Sequence, residues 1–469
     1  MRFSCAPATA VLVLTLLGSA FGTPAAFAED WPAFLGPTAD GRSGEEISLD
    51  WGEKGPEVLW FGAVGEGYSA PSVVADVVYV FDRVKDEARL YALSAEDGEL
   101  LWSESYPSTY EDLYRYSGGP RAVPVVDDGR VFAFGVDGRL RAHRSRNGEV
   151  LWDVDTNGRF GVVQNFFGAG STPVVEGDLL IVMVGGSPEG SPSISAGKVR
   201  GNGSGIVAFD KRSGEVRYRL SDELSSYATV RVATVDDRRW AFAFTRGGLL
   251  AFEPATGAED FFFPWRAKKL ESVNAATPVV VGDKVFITES YGPGGALLQV
   301  GQGAGEAGHR VVWKDARRGK SLESHWATPV YRDGFLYASS GQSTGEATLR
   351  AVRLDTGEVT WSEPGLGRST LLLAGEHLVV LTEHGRLLLV EANPEKYVKL
   401  ADIDYGTRRS SRDADAKVAA GAPSKAPALR FPVWNAPVLS NGRLFLRGKD
   451  QLLVLNVAPA EPAPQDASP

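Results

Sequence analysis

Through most of this chain apolar and polar residues alternate with the two-residue period of strands, and no window carries a helix-period apolar stripe long enough to compete. The alternation is punctuated at a fixed spacing. Residues 92–102 (ALSAEDGELLW) and 142–152 (AHRSRNGEVLW) share Ala at the first position, Gly at the seventh and Trp at the eleventh. Residues 208–218, 251–261 and 351–361 keep the Ala and the Gly and end on Tyr218, Phe261 and Trp361. Each copy is predicted to be a hairpin: a strand, a tight turn whose Gly takes positive φ, and a second strand ending in a large ring. Another strand pair precedes it, opened by Ala70-Pro71, Val123-Pro124, Thr172-Pro173, Thr277-Pro278, Thr328-Pro329 or Ala436-Pro437. Pro suits the first residue of a strand, where its missing N–H breaks no ladder. The unit is therefore four antiparallel strands, here lettered A to D.

Four-strand units of ~40–50 residues are the signature of propeller blades. The last aromatics of strand D count the blades: Trp102, Trp152, Tyr218, Phe261, Trp313, Trp361 and a degenerate seventh at 397–400. An eighth unit starts at Ala436 but runs out after 451–457, which reads as its strand C. At the other end, residues 57–60 (EVLW) repeat 149–152 (EVLW) with no A, B or C strand before them. The fold expected is all-β, an eight-bladed propeller spanning 29–457 whose last blade is completed by an N-terminal strand, which leaves no open sheet edge around the ring. Three stretches poor in apolar residues, 185–205, 404–430 and the Pro/Ala-rich tail 458–469, are expected to stay mobile. Residues 103–122 carry Tyr106, Tyr110, Tyr114 and Tyr116 and are expected to pack over one face of the ring.

Residues 1–28, with Arg2, an apolar run over 8–22 and Ala26-Phe27-Ala28, read as a secretory leader cut before Glu29. The protein is then expected to be exported, periplasmic or extracellular, and a monomer. No later stretch is long and apolar enough to cross a bilayer as a helix. Cys5 is the only cysteine and lies inside the leader, so neither a disulfide framework nor a lipidated N-terminal Cys is available. The formal net charge of −10 becomes one unit more negative without the leader, which disfavours nucleic acid and anionic lipid as partners.

The Ala–Gly–Trp pattern resembles the tryptophan-docking motif of the pyrroloquinoline-quinone (PQQ) repeat superfamily, over essentially the whole chain after the leader. That superfamily holds quinoprotein alcohol dehydrogenases, the outer-membrane assembly lipoprotein BamB, and exported PQQ-like repeat proteins. The chain is most similar to the last group, through residues 31–37 (WPAFLGP), 65–69 (GEGYS), 119–122 (GPRA) and 273–278 (VNAATP). The resemblance implies docking rings stacked on neighbouring blades. In the dehydrogenases it implies PQQ beside an adjacent-cysteine disulfide and a Ca²⁺ ion, and the chain has no such cysteine pair. Neither PQQ nor calcium is expected as a cofactor. The function expected is a non-catalytic binding scaffold in the cell envelope, the alternatives being a PQQ-dependent alcohol or sugar dehydrogenase and a BamB-like assembly factor.

Several motifs carry chemistry elsewhere. Residues 303–308 fit GxGxxG but precede a strand rather than a helix, and 341–345 fit GxSxG without the strand-to-helix elbow, so neither a nucleotide site nor a nucleophile is expected. His143, His309, His325, His377 and His384 lack zinc spacing. Asp153, Asp155 and Asn157 before Gly158 begin like a calcium loop, yet position twelve is Gln164, and a solvated turn is the reading preferred. The more informative set is Tyr68, Arg121, Asn274, His325 and Trp434, each just before a strand A and hence near one mouth of the channel. They would meet there as binding residues for a protein, glycan or small-molecule ligand, or would satisfy one another as a plug.

Overall fold

A computed structural model describes Met1 and residues 29–163, 165–406 and 427–460. The leader, Gln164, most of the 404–430 excursion and the end of the tail lie outside the described residues. Eight antiparallel blades follow one another around a ring in chain order. The second is representative: strand A is Val125–Asp127, B is Arg130–Phe134, C is Arg139–Arg144 and D is Val150–Asp155. The A strands of neighbouring blades, three residues long except in the fourth and seventh, approach one another and line the channel. Strands B and C lie between two other blades and are buried on both faces, as in Ile206–Asp210. Strand D alternates, as in Glu259–Pro264, because only one of its faces meets a neighbour.

The core is a series of inter-blade layers. Phe132, Phe134 and Leu140 of the second blade interleave with Leu180, Val182 and Phe209 of the third, and the pattern recurs around the ring. At the rim of each layer sits the docking ring. Trp102 donates its indole N–H to the Ser145 carbonyl of the next blade at 2.8 Å, and Trp152 does the same to Lys211 at 3.2 Å. Trp60, Trp313 and Trp361 repeat the bond to Ala95, Leu354 and Asn393. Tyr218 reaches Pro254 with its hydroxyl, whereas Phe261 lacks a donor and packs on His309.

The repeat's other residues follow from this contact. A Cβ on Gly148 would lie 2.5 Å from the Trp102 ring, and that glycine also has φ +76. The Ala stands directly across from the ring in the C–D ladder, Ala92 opposite Trp102 and Ala142 opposite Trp152, and a β-bulge follows at that step. The threonine two residues before strand A bonds too: Val123, Thr172, Thr229 and Thr277 each donate a backbone N–H to the hydroxyl of the next blade's threonine, Thr172, Thr229, Thr277 and Thr328, at 3.0–3.3 Å.

Closure is as expected: Glu57–Ala63 pairs antiparallel with Gln451–Asn456 to form strand D of the eighth blade. The seam between blades eight and one is pinned by Arg447. Its side chain is wholly buried and donates to the carbonyls of Ser69, of Phe81 at 2.9 Å and of Gly65 at 3.3 Å.

Three features differ from the sequence reading. The seventh docking position is Ala401, opposite Leu389 at the bulge, while Tyr397 lies in the preceding turn against Trp361. The reason is topological: strands C and D of blade eight come from opposite ends of the chain, so no C–D turn exists there to receive a ring. Ile47 and Trp51 fill this layer instead, packed with Ile403 and Tyr405. Second, the stretch 185–205 is not a loose loop. Ile194 and Val199 join a cluster with Phe166, Val273 and Leu270, and the Asn202 amide bonds the carbonyls of Phe160 and Ser187 at 2.9 Å.

Third, residues 31–43 cross the channel. Trp31 bridges Val73 of the first blade, Pro32 accepts from Val126 of the second, Thr38 accepts from Arg231 of the fourth, and Arg42–Ser43 adds a parallel inner strand to the seventh. Gly36 folds the segment onto the Trp31 ring at φ +79, where a Cβ would sit 2.9 Å from it.

Docking predicts a graded glycine series. Gly148→Ala and Gly129→Ala share a positive φ, of +76 and +69, but only Gly148 faces a ring. Chemical denaturation is expected to show ~1–2 kcal/mol lost at Gly129 from backbone strain and ~1–3 kcal/mol more at Gly148 from overpacking. Equal losses would remove the glycine from the docking account. Arg447→Met strands three buried carbonyls and should cost several kcal/mol at ~1–3 each, against ~0–1 kcal/mol for Arg443→Met at its exposed pair with Asp76.

Candidate functional site

Strands A begin at equivalent places, so residues a fixed count before them recur around one end of the channel. Four residues before strand A stand Tyr68, Arg121, Gly170, Tyr227, Ala275, Trp326 and Trp434, and all line one cavity of about 1670 Å³. Two residues before it, Ala70, Val123, Thr172, Thr229 and Ala436 form the next layer down. The Phe34 ring from the crossing segment also lines the cavity, so the mouth is a pocket with a floor.

Of the sequence-selected residues, Tyr68, Arg121, His325 and Trp434 share this cavity and Asn274 does not. Asn274 is one residue short of the lining register, fully buried, with its amide N–H groups donated to the carbonyls of Thr245 at 2.7 Å and Trp265 at 3.1 Å. The correct register would have selected Ala275 and Trp326. Arg368 was missed because the seventh blade lacks the X-Pro marker, and Phe34 because it arrives from the far end of the chain.

Residues 108–118 do overlie the mouth. The buried Asp112 carboxylate accepts the backbone N–H of Tyr114, Tyr116 and Ser117 at 2.8–3.1 Å and pairs with Arg121 at 2.9 Å. Tyr114 and Tyr116 then lean on Phe167, and Tyr116 meets Trp434 edge-on at 6.0 Å. On the other side Trp434 lies 5.0 Å from both Tyr68 and Trp326. The Arg368 guanidinium stands 4.7 Å from the Trp326 ring and 5.1 Å from Trp434 while pairing with the buried Glu383 at 2.7 Å. Burial pushes the Glu383 carboxyl up, but its bonds from Arg368 outweigh this and hold it below the usual range. The Trp434 indole donates to the same carboxylate at 3.2 Å.

His325 bonds Tyr291 through Nε2 at 3.0 Å and has an unpartnered, buried Nδ1. Burial, reinforced by the Arg368 charge, pushes its pKa down to about 4, so the ring is neutral at pH 7. Burial likewise raises the Tyr68 phenol to about 12. Glu289, close below the rim, is raised to about 7 by burial despite bonds from Ser272 and Tyr291.

The remaining motifs have structural places. Residues 303–308 are the C–D turn of the fifth blade, whose Gly308 lies under Phe261. Ser343 of the GxSxG stretch donates to Glu346 at 2.9 Å on the rim, ahead of the strand Thr348–Arg353. Asp153 is bound by Arg139 and Arg141, and Asp155 caps the helical turn Thr156–Phe160, so these carboxylates face different partners rather than one centre. His384 stacks on Phe431 at the mouth, and His143 is a buried residue bonded to Gly148.

This fold recurs among known proteins. BamB from Moraxella catarrhalis superposes with a TM-score of 0.56 at 15% identity, covering 87% of this chain and 99% of that one. Quinohemoprotein alcohol dehydrogenase from Comamonas testosteroni gives 0.59 at 13% identity, covering 94% and 82%. In sequence, the polyvinylalcohol dehydrogenase of Sphingopyxis sp. (strain 113P3) is 28% identical over 195 residues, which is 36% of this chain and 29% of that enzyme. The chain thus spans less than a third of the curated relative it matches. The PQQ-like repeat family described as outer membrane protein assembly factor BamB matches at residues 39–204, 183–363 and 235–399. With its docking rings, eight blades and matches running from residue 39 to residue 399, the chain belongs to that family.

Proposed function

We propose that the protein is an exported binding propeller whose ligand enters the floored mouth, and that it carries out no quinone redox chemistry. One observation carries this reading: the cations best placed in the cavity, Arg121 and Arg368, are each bound to a buried carboxylate, Asp112 and Glu383. Their charge holds the walls together and is not spare. PQQ is a tricarboxylate at neutral pH, and a tight site for it needs cations in excess. A calcium partner needs several convergent oxygens, and among the described residues no three His, Cys, Asp or Glu side chains are placed to hold a metal ion. The residues present therefore do not fit the quinone–calcium pair. The dehydrogenase relative supports the rival reading, so the test includes it.

Export is supported by the geometry at Glu29. Its backbone N–H donates to the buried Glu45 carboxylate at 3.1 Å, and Glu45 also accepts from Asn441 and Gly442 at 2.7 Å. Cleavage before Glu29 would turn that amide into an ammonium facing a carboxylate.

In cells, a photo-crosslinking residue replacing Tyr116 at the mouth is expected to trap a ligand, and one replacing Asp128 on the opposite face is not. The reverse pattern would overturn the mouth as the binding site. Purified protein given PQQ and Ca²⁺ is expected to show no turnover of alcohols, sugars or polyvinyl alcohol with an artificial electron acceptor, and saturable turnover would establish the enzyme. Mass spectrometry of the exported chain should find Glu29 first. That chain should be more stable than its N-acetylated form by about 1–2 kcal/mol, a difference Glu45→Gln erases.

A further inference from the structure

We infer that the mouth binds a neutral oligosaccharide, its pyranose rings stacked along the arc Tyr68–Trp434–Trp326. This rests on the mouth being the binding site and names the ligand class. Four observations converge on it.

The first is size. A cavity of about 1670 Å³ exceeds the ~300–1,000 Å³ of ordinary small-molecule sites, so the occupant is a chain of several units.

The second is charge. The lining cations are Arg115, Arg121, Arg368, Arg430 and Lys449. Three of them are paired with Asp112, Glu383 and Asp450, and with the lining carboxylates Glu66 and Glu271 the acidic groups equal the cations in number. On a chain with formal charge −10 the mouth is neutral, and it offers no attraction to a polyanion or a basic peptide.

The third is which polar atoms remain. The indole N–H of Trp326 is used on the Trp434 carbonyl at 3.1 Å and that of Trp434 on Glu383. Arg121 lies over the Tyr68 ring and Arg368 over those of Trp326 and Trp434, so what each ring has left for the C–H face of a sugar is its other π face. Three of the described cavity residues have buried polar atoms without a partner in the protein, His325 Nδ1, Arg430 Nε and Asn435 Oδ1. Each costs free energy until met, and a carbohydrate hydroxyl can donate to the Asn435 oxygen, accept from the Arg430 N–H, and do either with His325 Nδ1 according to its tautomer.

The fourth concerns the main competitor, an extended peptide. Such a ligand gains affinity by adding a strand to an open sheet edge. The A strands at the channel are three residues long except on the fourth and seventh blades; there, Arg231 of Arg231–Val235 is bonded to Thr38 of the crossing segment, and Arg42–Ser43 pairs with the last two residues of Ser369–Ala374. Rings are offered, and only short stretches of edge are.

The experiment is a titration of purified protein with cellohexaose, chitohexaose, maltohexaose and polyvinyl alcohol, read by tryptophan fluorescence and calorimetry. At least one hexaose is expected to bind saturably and shift the emission, with polyvinyl alcohol, a polyol without rings, at least tenfold weaker. Tyr116→Ala removes an exposed ring, so folding should be untouched, and should weaken the hexaose roughly 5- to 10-fold. Trp434→Phe should retain part of the binding, and Leu113→Ala, exposed on the same loop but outside the cavity, should leave it unchanged. Polyvinyl alcohol binding as tightly as the best hexaose would overturn ring stacking. If no hexaose binds while the Tyr116 crosslink forms and resists competition by all of them, the saccharide is overturned and the mouth stands. If no hexaose binds and only the Asp128 position crosslinks, the mouth itself falls.

Discussion

The contact on which the ring depends is the docking of one blade's last aromatic on the next blade's glycine turn. A four-stranded blade cannot cover its own two faces, so strands B and C, buried on both sides, exist only because neighbours supply the other half of each layer. The docking ring sets the pitch of that stacking. Where the ring is an indole its N–H satisfies a carbonyl of the next blade's turn, its face lies on a glycine with no Cβ in every such turn but that of Trp361, and an alanine stands opposite it except at Trp60 and Trp313, which face Val454 and Leu297. One contact thereby explains three separated positions of the repeat, and the exception confirms the logic. Where blade eight has no C–D turn, blade seven has Ala401 in place of a ring, and the layer is completed by Ile47 and Trp51.

The N-terminal segment performs two tasks with one run of backbone. Glu57–Ala63 closes the eighth blade, and the residues leading to it cross the channel, touching blades one, two, four and seven. Closing the ring and closing the channel are therefore coupled, and Phe34 becomes the floor of the mouth as a by-product. A propeller closed by its C-terminal strand alone would have no such floor.

Within the mouth, charge serves architecture. Asp112 and Glu383 are buried, and an unpaired carboxylate in such a place is costly, so each recruits an arginine and a set of N–H donors that lock the adjacent loop. The same arginines lie over one face of Tyr68, Trp326 and Trp434 and help hold these rings at defined angles. The result is an aromatic pocket in an acidic protein whose cations are largely engaged by carboxylates of its own wall.

The strand count, the blade boundaries and the closure of blade eight by residues 57–60 were all legible in the sequence, because a repeated contact with a strict geometry leaves a repeated spacing. Even the position of the mouth followed from counting back from strand A, and Tyr68, Arg121, His325 and Trp434 were found that way. Asn274 and His325 both stand one residue off the lining register, and only His325 reaches the cavity, because the Asn274 amide is drawn into the wall by the carbonyls of Thr245 and Trp265. What happens once per molecule left no such trace. The crossing segment, Arg447 at the seam, the packing of Ile194 and the pairing of Arg368 with Glu383 each join residues far apart in the chain through a single contact. A single contact has no period, and only the folded ring brings its two halves together.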